Sequence, residues 1–274
     1  MGLTTFPIRS FKDFVGRIEE YCPEGIFLFR GQRQEWPLLP KVARIKFKDS
    51  LDVLQAERQM FIEFQRKSVP FLERIPQTEW DWLGLMQHHG LATRLLDWTQ
   101  NPLAALWFAV RKPPGASKEA IVWIFTPKDN DFGMSSPDES PFECDRTKVF
   151  QPNHITQRIV VQSGWFSVHK YIKDKAMFIP LENNTLFSKK LIKLTIPTRL
   201  FSDLRYWLNL CGINFATMFP DLDGLCQHIQ WSKEPLTDEN PVLDSMTRRL
   251  STRLLTPRRK RRRKVAIIRR PIIS

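Results

Sequence analysis

Two charged side chains stand in an apolar stretch of the sequence, where charge is costly. The stretch HHGLATRLLDWTQNPLAALWFAV, residues 88–110, carries Arg94 and Asp97 between leucines and tryptophans. Burial of a charge is unfavourable unless the charge is paired and hydrogen-bonded. The pair therefore belongs to an internal ion-pair network or lines a polar cleft, and on a strand the two side chains would point to opposite faces.

A second arginine stands beside a glycine. Residues 26–29, Ile-Phe-Leu-Phe, predict a buried strand that stops at Arg30-Gly31. A guanidinium binds phosphate or carboxylate through paired hydrogen bonds, and glycine lets such a group approach the backbone closely. The chemistry expected at Arg30, Gly31 and Gln32 is therefore the binding of an anionic ligand. The alternative is a structural ion pair between Arg30 and a buried aspartate.

The adjacent histidines offer a weaker signal. His88 and His89 end a predicted helix that begins after Thr78. Adjacent helical positions diverge by roughly 100°, so the two rings are a poor pair of metal ligands, and no metal site is expected. One ring is assigned to a cap or to packing and the other, His89, to the cleft. Serine nucleophile elbows, phosphate-binding loops, zinc-protease motifs and dinucleotide-binding glycine motifs are all absent from the sequence.

The elements that must position these residues follow from hydrophobic periodicity. The sequence predicts helices over residues 11–21, 51–69 and 78–89, a helix that starts at Asn101-Pro102, and C-terminal helices from 200 and over 221–231. It predicts strands over residues 26–29, 93–98, 120–126, 158–169, 176–179 and 191–196, and a long loop over 127–153. Helices and strands alternate irregularly, which favours an α+β fold with a mixed central sheet and flanking helices.

The positive charge is concentrated at one end of the chain. The formal net charge is +13, but positions 247–274 contain 12 Lys or Arg and no acid, so the rest of the chain is nearly neutral. The run Arg258–Lys264 is either a solvated tail or a contact for nucleic acid or another anionic surface. We assign a folded domain to residues 8–232 and a polar, then strongly basic tail to 236–274.

The four cysteines form no metal-binding pair and are interpreted as buried thiols of a reducing compartment. The N-terminus lacks the apolar segment of a signal peptide, and no apolar run approaches the length of a membrane span. A cytoplasmic protein is expected.

Several motifs together resemble the FRG domain family, which is named for a Phe/Tyr-Arg-Gly motif. The resemblance lies in FRGQ at 29–32, QHHGLATRLLDWT at 87–99, NPL at 101–103, ALWFA at 105–109, QSGWF at 162–166 and FPDLDGL at 219–225. It covers about residues 8–232 and implies a cytoplasmic, largely prokaryotic and viral context that includes phages. The family carries no established general activity.

The order of these motifs is also similar to that of ADP-ribosyltransferases. In such enzymes an early Arg-Gly binds the phosphate of NAD, a polar strand leads into a helix, and a late strand carries an acid. Arg30-Gly31, the Asp97-Trp98-Thr99 strand and Gln162 fall in that order. The resemblance implies NAD as a cofactor and an ADP-ribosyltransferase-like fold. Gln162 offers a neutral amide, so Asp97 supplies the charge, the activity is altered, or the site only binds.

The leading hypothesis is a polar cleft that binds a nucleotide or another phosphate-bearing ligand, and the sequence leaves open whether the domain is an enzyme. Its substrate-binding residues are Arg30, Gly31, Gln32, His89, Arg94, Trp98 and Thr99, and its catalytic candidates are Asp97 and Gln162. The alternative is a noncatalytic regulatory module of a phage-defence or mobile-element system, with an internal Arg and Asp network and a tail that contacts nucleic acid. A nucleic-acid-processing enzyme is a third possibility that rests on the tail alone.

Overall fold

The computed structural model describes residues 3–48, 52–116, 118–133, 139–152 and 163–239. The α-helices in these ranges are α1 Phe11–Tyr21, α2 Val53–Ser68, α3 Glu79–His88, α4 Pro102–Val110, α5 Phe201–Leu210, α6 Phe215–Met218 and α7 Leu222–Trp231. The strands are β1 Thr4–Pro7, β2 Leu28–Gln32, β3 Leu95–Thr99, β4 Glu119–Phe125, β5 Lys148–Phe150, β6 Gly164–Val168, β7 Tyr171–Ile172, β8 Met177–Phe178 and β9 Leu191–Pro197.

A mixed seven-stranded sheet forms the centre of the described residues. Its strand order is β1-β9-β4-β2-β3-β6-β5, and the β7-β8 pair forms a separate small sheet. Only the β1-β9 pair within the large sheet is parallel; the other neighbours are antiparallel. Helices flank this sheet, so the predicted α+β fold is confirmed.

Helices cover one face of the sheet in two groups. Helices α1, α4 and α5 pack over β2, β4 and β9 around Phe29, Val122 and Leu194. Helices α2 and α3 pack over β3, β5 and β6, where Leu95 and Phe166 are buried. A separate cluster on the opposite face contains Trp98, Trp123 and Phe187, among others. The two faces follow from the alternation of side chains along each strand.

Local sequence signals set where the helices begin. The side chains of Ser10, Thr78 and Asp221 each accept a hydrogen bond from a backbone N–H in the first turn of α1, α3 and α7. Asn101 does the same for α4, whose first residue is Pro102. These caps satisfy helix N–H groups that have no partner within the helix.

Strands β2 and β3 meet at a single point, where Phe29 pairs with Thr99. Strand β2 pairs with β4 over all five of its residues, and β3 pairs with β6 over all five. The two strands therefore diverge beyond Phe29 and Thr99, in the direction of Gln32 and Leu95. This divergence leaves a gap in the sheet hydrogen bonds beside Arg30 and Asp97.

Helix α4 lies unusually close to β2. A Cβ atom at Gly31 would lie 1.8 Å from the carbonyl oxygen of Ala105 and 2.8 Å from the backbone nitrogen of Ala109. Only glycine allows the backbones of strand and helix to approach this closely. The space beside Gly31 that the sequence assigned to a ligand is therefore occupied on this side by α4.

Three details of the sequence prediction need correction. Strand β2 begins at Leu28 and continues to Gln32, so Arg30 lies within the strand rather than at its end. The predicted loop 127–153 contains β5, because Lys148–Phe150 pairs with β6. The cysteines are all free thiols, but only Cys144 is buried, whereas Cys211 and Cys226 are exposed.

The Gly31 contact leads to a stability prediction. Gly31→Ala should lower the free energy of unfolding by about 3 kcal/mol, because the new methyl group overlaps the backbone of α4. Gly16→Ala in α1 is the matched control, since a Cβ there meets nothing within 4 Å, and it should be neutral or slightly stabilising. Urea unfolding of both variants checks this, and equal stabilities for the two would contradict the close packing of α4.

Candidate functional site

Arg30 bridges the gap between β2 and β3. Its Nη1 donates to the backbone carbonyl of Asp97 at 2.7 Å and lies 3.5 Å from the Asp97 carboxylate. This bond satisfies a strand carbonyl at the place where β2 has moved away. The Nε of Arg30 is buried and has no hydrogen-bond partner among the described residues. A guanidinium carries five N–H donors, so at least the Nε proton of Arg30 is left without an acceptor within the described part of the chain.

Asp97 presents its carboxylate to solvent at the same gap. Its side chain is 56% exposed, whereas that of Arg30 is 19% exposed. The amide nitrogen of Gln87, in the last turn of α3, donates to both carboxylate oxygens at 3.1 and 3.0 Å. The Gln87 oxygen accepts the Thr93 hydroxyl at 2.7 Å. Asp97 is therefore held by an arginine on one side and an amide on the other.

Arg30 is influenced by one negative and one positive neighbour. Burial lowers the pKa of Arg30, the Asp97 carboxylate raises it, and the positive charge of Arg44 lowers it. Arg44 and Lys41 belong to the 3-10 helix Lys41–Arg44, and the Lys41 ammonium donates to the carbonyl of Gly90 at 2.6 Å. The charges of Arg30 and Arg44 favour an anionic ligand such as a phosphate.

Arg94 lies away from this gap, in the interior. Its guanidinium and backbone N–H both donate to the Glu57 carboxylate of α2, with a shortest distance of 2.6 Å. The two side chains are 3% and 0% exposed. Arg94 also donates to the carbonyl of Phe142 and lies over its ring. The expected role of Arg94 in a cleft is therefore replaced by a structural one, because every face of the guanidinium is covered by protein.

Three further predicted binding residues also have partners inside the protein. The side-chain amide oxygen of Gln32 accepts the Trp123 indole N–H at 3.0 Å. The Trp98 indole N–H donates to the Ser167 hydroxyl at 2.9 Å. The Thr99 hydroxyl accepts the backbone N–H of Asn101 at 3.0 Å. All three are buried, so a ligand could reach them only after these contacts opened.

The positive charge of Arg30 affects the pKa of a buried histidine, His169. His169 Nε2 is 3.2 Å from the Ser167 hydroxyl, and both residues are almost fully buried. Burial, the charge of Arg30 and a partly offsetting bond to the Ile179 backbone together lower the pKa of His169 to about 3. His169 is therefore neutral at physiological pH.

The remaining predicted residues are not assembled with Arg30 and Asp97 in the described part of the chain. His89 is the exposed C-cap residue of α3, and its ring lies edge-on to that of His88. Gln162 and the Arg258–Lys264 cluster lie outside the described residues.

Within the described ranges, no cluster of three or more His, Cys, Asp or Glu could hold a metal ion, and no helix there is long and apolar enough to cross a membrane.

The sequence prediction did not assign a role to Gln87 or Thr93, which hold Asp97 in place. Both lie in the motif stretch between residues 87 and 99. Their spacing from Asp97 gave no sign of contact, because α3 ends and a turn intervenes before β3 begins. A neutral amide near a charged residue is a weak signal without the geometry.

The gap, the α4 packing and the Arg30 bridge all lie in one stretch that matches a known family. Residues 25–118 match the family model described as the FRG domain. This stretch is similar to FRG domains over about a third of the chain. The match includes Arg30, Gln87 and Asp97 and ends before β5 and β6. No curated protein and no solved structure matches the sequence at a significant level.

The Arg94–Glu57 pair, which lies within the matched residues 25–118, gives a second stability prediction. Arg94→Met should cost about 3–5 kcal/mol in the free energy of unfolding, because it leaves the Glu57 carboxylate buried without a cation. Adding Glu57→Gln should recover part of the loss, since a neutral amide needs no counter-charge and can still accept the backbone N–H. Chemical denaturation of both variants measures this, and no recovery in the double variant would count against a charge effect.

His169 gives a prediction for pH dependence. The unfolded chain protonates this histidine near its usual pKa of about 6.5, whereas the folded protein keeps it neutral down to a pKa of about 3. Stability should therefore fall as the pH drops below about 6.5, by about 1.4 kcal/mol per pH unit from this group. Urea unfolding at pH 7 and pH 5 should show a smaller loss for His169→Gln than for the unchanged protein. Equal losses would mean that His169 is accessible to protons when folded.

Proposed function

We propose that the gap between β2 and β3 binds a phosphate-bearing nucleotide, with Arg30 at the phosphate and Asp97 at a ribose hydroxyl. The observation that carries the proposal is the pairing of an incompletely satisfied guanidinium with an exposed carboxylate at one opening of the sheet. Phosphate accepts hydrogen bonds from guanidinium, and an ionised carboxylate accepts them from hydroxyls. The two groups together suit a ligand that carries both. We also propose that the domain extends beyond the matched residues, over 8–232.

The finer form of the proposal is the transfer of ADP-ribose from NAD. The bond between the ribose and nicotinamide breaks, nicotinamide leaves with the electron pair, and a nucleophile of the acceptor bonds to the ribose carbon. The positive charge that develops on the ribose is stabilised by a nearby carboxylate, as in glycoside hydrolysis. Asp97 supplies the carboxylate in this proposal, and Gln162 contacts the ribose.

Trp98, Thr99, Gln32 and Arg94 are left out of the proposed contact surface. Each of these side chains is buried and bonded to another part of the protein. They support the strands that carry Arg30 and Asp97. His89, which is exposed at the end of α3, is kept only as a residue near the entrance.

A second candidate function is a noncatalytic regulatory module of a phage-defence or mobile-element system. The Arg94–Glu57 pair favours this function, because Arg94 forms a structural ion pair in the protein interior. Under this alternative, the bond from Arg30 to the Asp97 carbonyl is a second structural contact of that kind. In this case the basic tail, with Arg258–Lys264, makes the functional contact with nucleic acid.

Arg33 provides a matched control for Arg30. It follows β2, its Nη2 donates to the carbonyl of Pro113 at 2.9 Å, and its Nε is also buried without a partner. Its hydrogen bonds thus resemble those of Arg30, but its partner is Pro113 rather than Asp97. Loss of Arg33 should therefore remove a similar structural bond without removing the proposed phosphate contact.

We expect NAD and ADP-ribose to bind the unchanged protein and Arg33→Ala alike, and to bind Arg30→Ala at least about tenfold more weakly. Calorimetry measures binding, nicotinamide release measures transfer, and the melting temperature of each variant reports folding. Binding without nicotinamide release would support the nucleotide site and reject the transfer. No binding by the unchanged protein, with Arg30→Ala unfolded, would reject the site and leave the regulatory module.

A further inference from the structure

The hydroxyl of Thr93 determines which way the Gln87 amide points. The Thr93 oxygen already accepts the backbone N–H of Leu95 at 3.1 Å, and its proton is directed at the Gln87 oxygen at 2.7 Å. Thr93 is fully buried, and its own carbonyl accepts the N–H of Val42 at 3.2 Å. A carbonyl oxygen can only accept, and of the two neighbours of the Gln87 amide only the Thr93 hydroxyl can donate to it, so the Gln87 oxygen faces Thr93.

The other end of the amide must then face Asp97. The Gln87 nitrogen donates to both carboxylate oxygens, and Arg30 approaches one of them from the other side. The opposite amide orientation would place two acceptors against each other at Asp97 and would leave the Thr93 proton facing a donor. The orientation thus follows from the chemistry of the neighbours and not from the amide geometry alone.

We propose that Gln87 is the positioning residue of the site: held by Thr93, it fixes the Asp97 carboxylate as a hydrogen-bond acceptor, so that the ligand must present a donor there, which in a nucleotide is a sugar hydroxyl. The hydroxyl requirement rests on the proposed nucleotide site, whereas the relay from Thr93 through Gln87 to Asp97 does not. An ionised carboxylate has no proton to donate and repels phosphate. The ligand's phosphate is therefore directed to Arg30 and its sugar to Asp97.

The position of Gln87 explains why an amide serves better than a charged side chain. A glutamate in its place would repel Asp97, and a lysine would neutralise the carboxylate and compete with the ligand for it. The amide donates to Asp97 without changing the net charge of the gap. Arg30, with Arg44 near it, then remains available as the positive end of the site.

A double-mutant cycle tests whether Gln87 acts through Asp97. With ADP-ribose as the probe, Gln87→Met should weaken binding about tenfold in the protein that keeps Asp97. In the Asp97→Ala background the same change should have almost no further effect. Gln100→Met is the control, because Gln100 is an exposed glutamine one residue beyond β3, and it should bind normally. An equal loss from Gln87→Met in both backgrounds would overturn the positioning role.

The side-chain amide signals of Gln87 in the ligand-free protein provide an independent test. In two-dimensional NMR, the chemical shifts of these signals should differ from those of a solvent-exposed glutamine amide. Both Thr93→Val and Asp97→Ala should move the chemical shifts towards those of the exposed Gln100. Signals that neither variant moves would reject the relay whatever the ligand. Shifted signals without ADP-ribose binding would uphold the relay and reject the proposed nucleotide. Inorganic pyrophosphate is a probe without sugar hydroxyls. The hydroxyl requirement fails if Gln87→Met weakens the binding of pyrophosphate as strongly as it weakens the binding of ADP-ribose.

Discussion

The packing of α4 directly onto β2 is the constraint on which the site depends. Helix α4 starts three residues after β3 ends, so the backbone contact at Gly31 also holds the end of β3 beside β2. The two strands are joined there, at Phe29 and Thr99, and diverge beyond it. The gap is thus a consequence of where the helix is attached. A larger residue at Gly31 would move the helix and the gap together.

The gap explains why an apolar stretch retains its charges. A strand that loses its neighbour leaves backbone carbonyls unpaired, and an unpaired buried carbonyl costs about as much as a lost hydrogen bond. Arg30 reaches across and pairs with the carbonyl of Asp97, whose own side chain faces solvent. Arg94, three residues earlier, instead meets Glu57 in the interior. The two arginines therefore have different roles: Arg30 pairs with a backbone carbonyl at the gap, and Arg94 pairs with a buried carboxylate in the core.

Local signals in the sequence predicted the fold better than the site. Caps at Thr78 and Asn101 and the alternation along β3 follow from neighbouring residues, and the structure confirms them. The partner of Arg94 could not be predicted, because Glu57 lies 37 residues away on helix α2. The same holds for the Trp98 indole, whose partner Ser167 is 69 residues distant. Periodicity shows that a residue is buried but not which group it meets.

Asp97 shows why residue type alone could not separate a site from a salt bridge. A short Arg–carboxylate pair with both side chains buried is complete in itself, as for Arg94 and Glu57. At Asp97 the arginine lies 3.5 Å from the carboxylate and directs its shorter bond to the backbone. The carboxylate is also oriented by Gln87, a neutral donor that adds no second positive charge beside it. An oriented and exposed charge of this kind is poorly suited to stabilising a core, since solvent screens it, but it is well suited to receiving a hydroxyl.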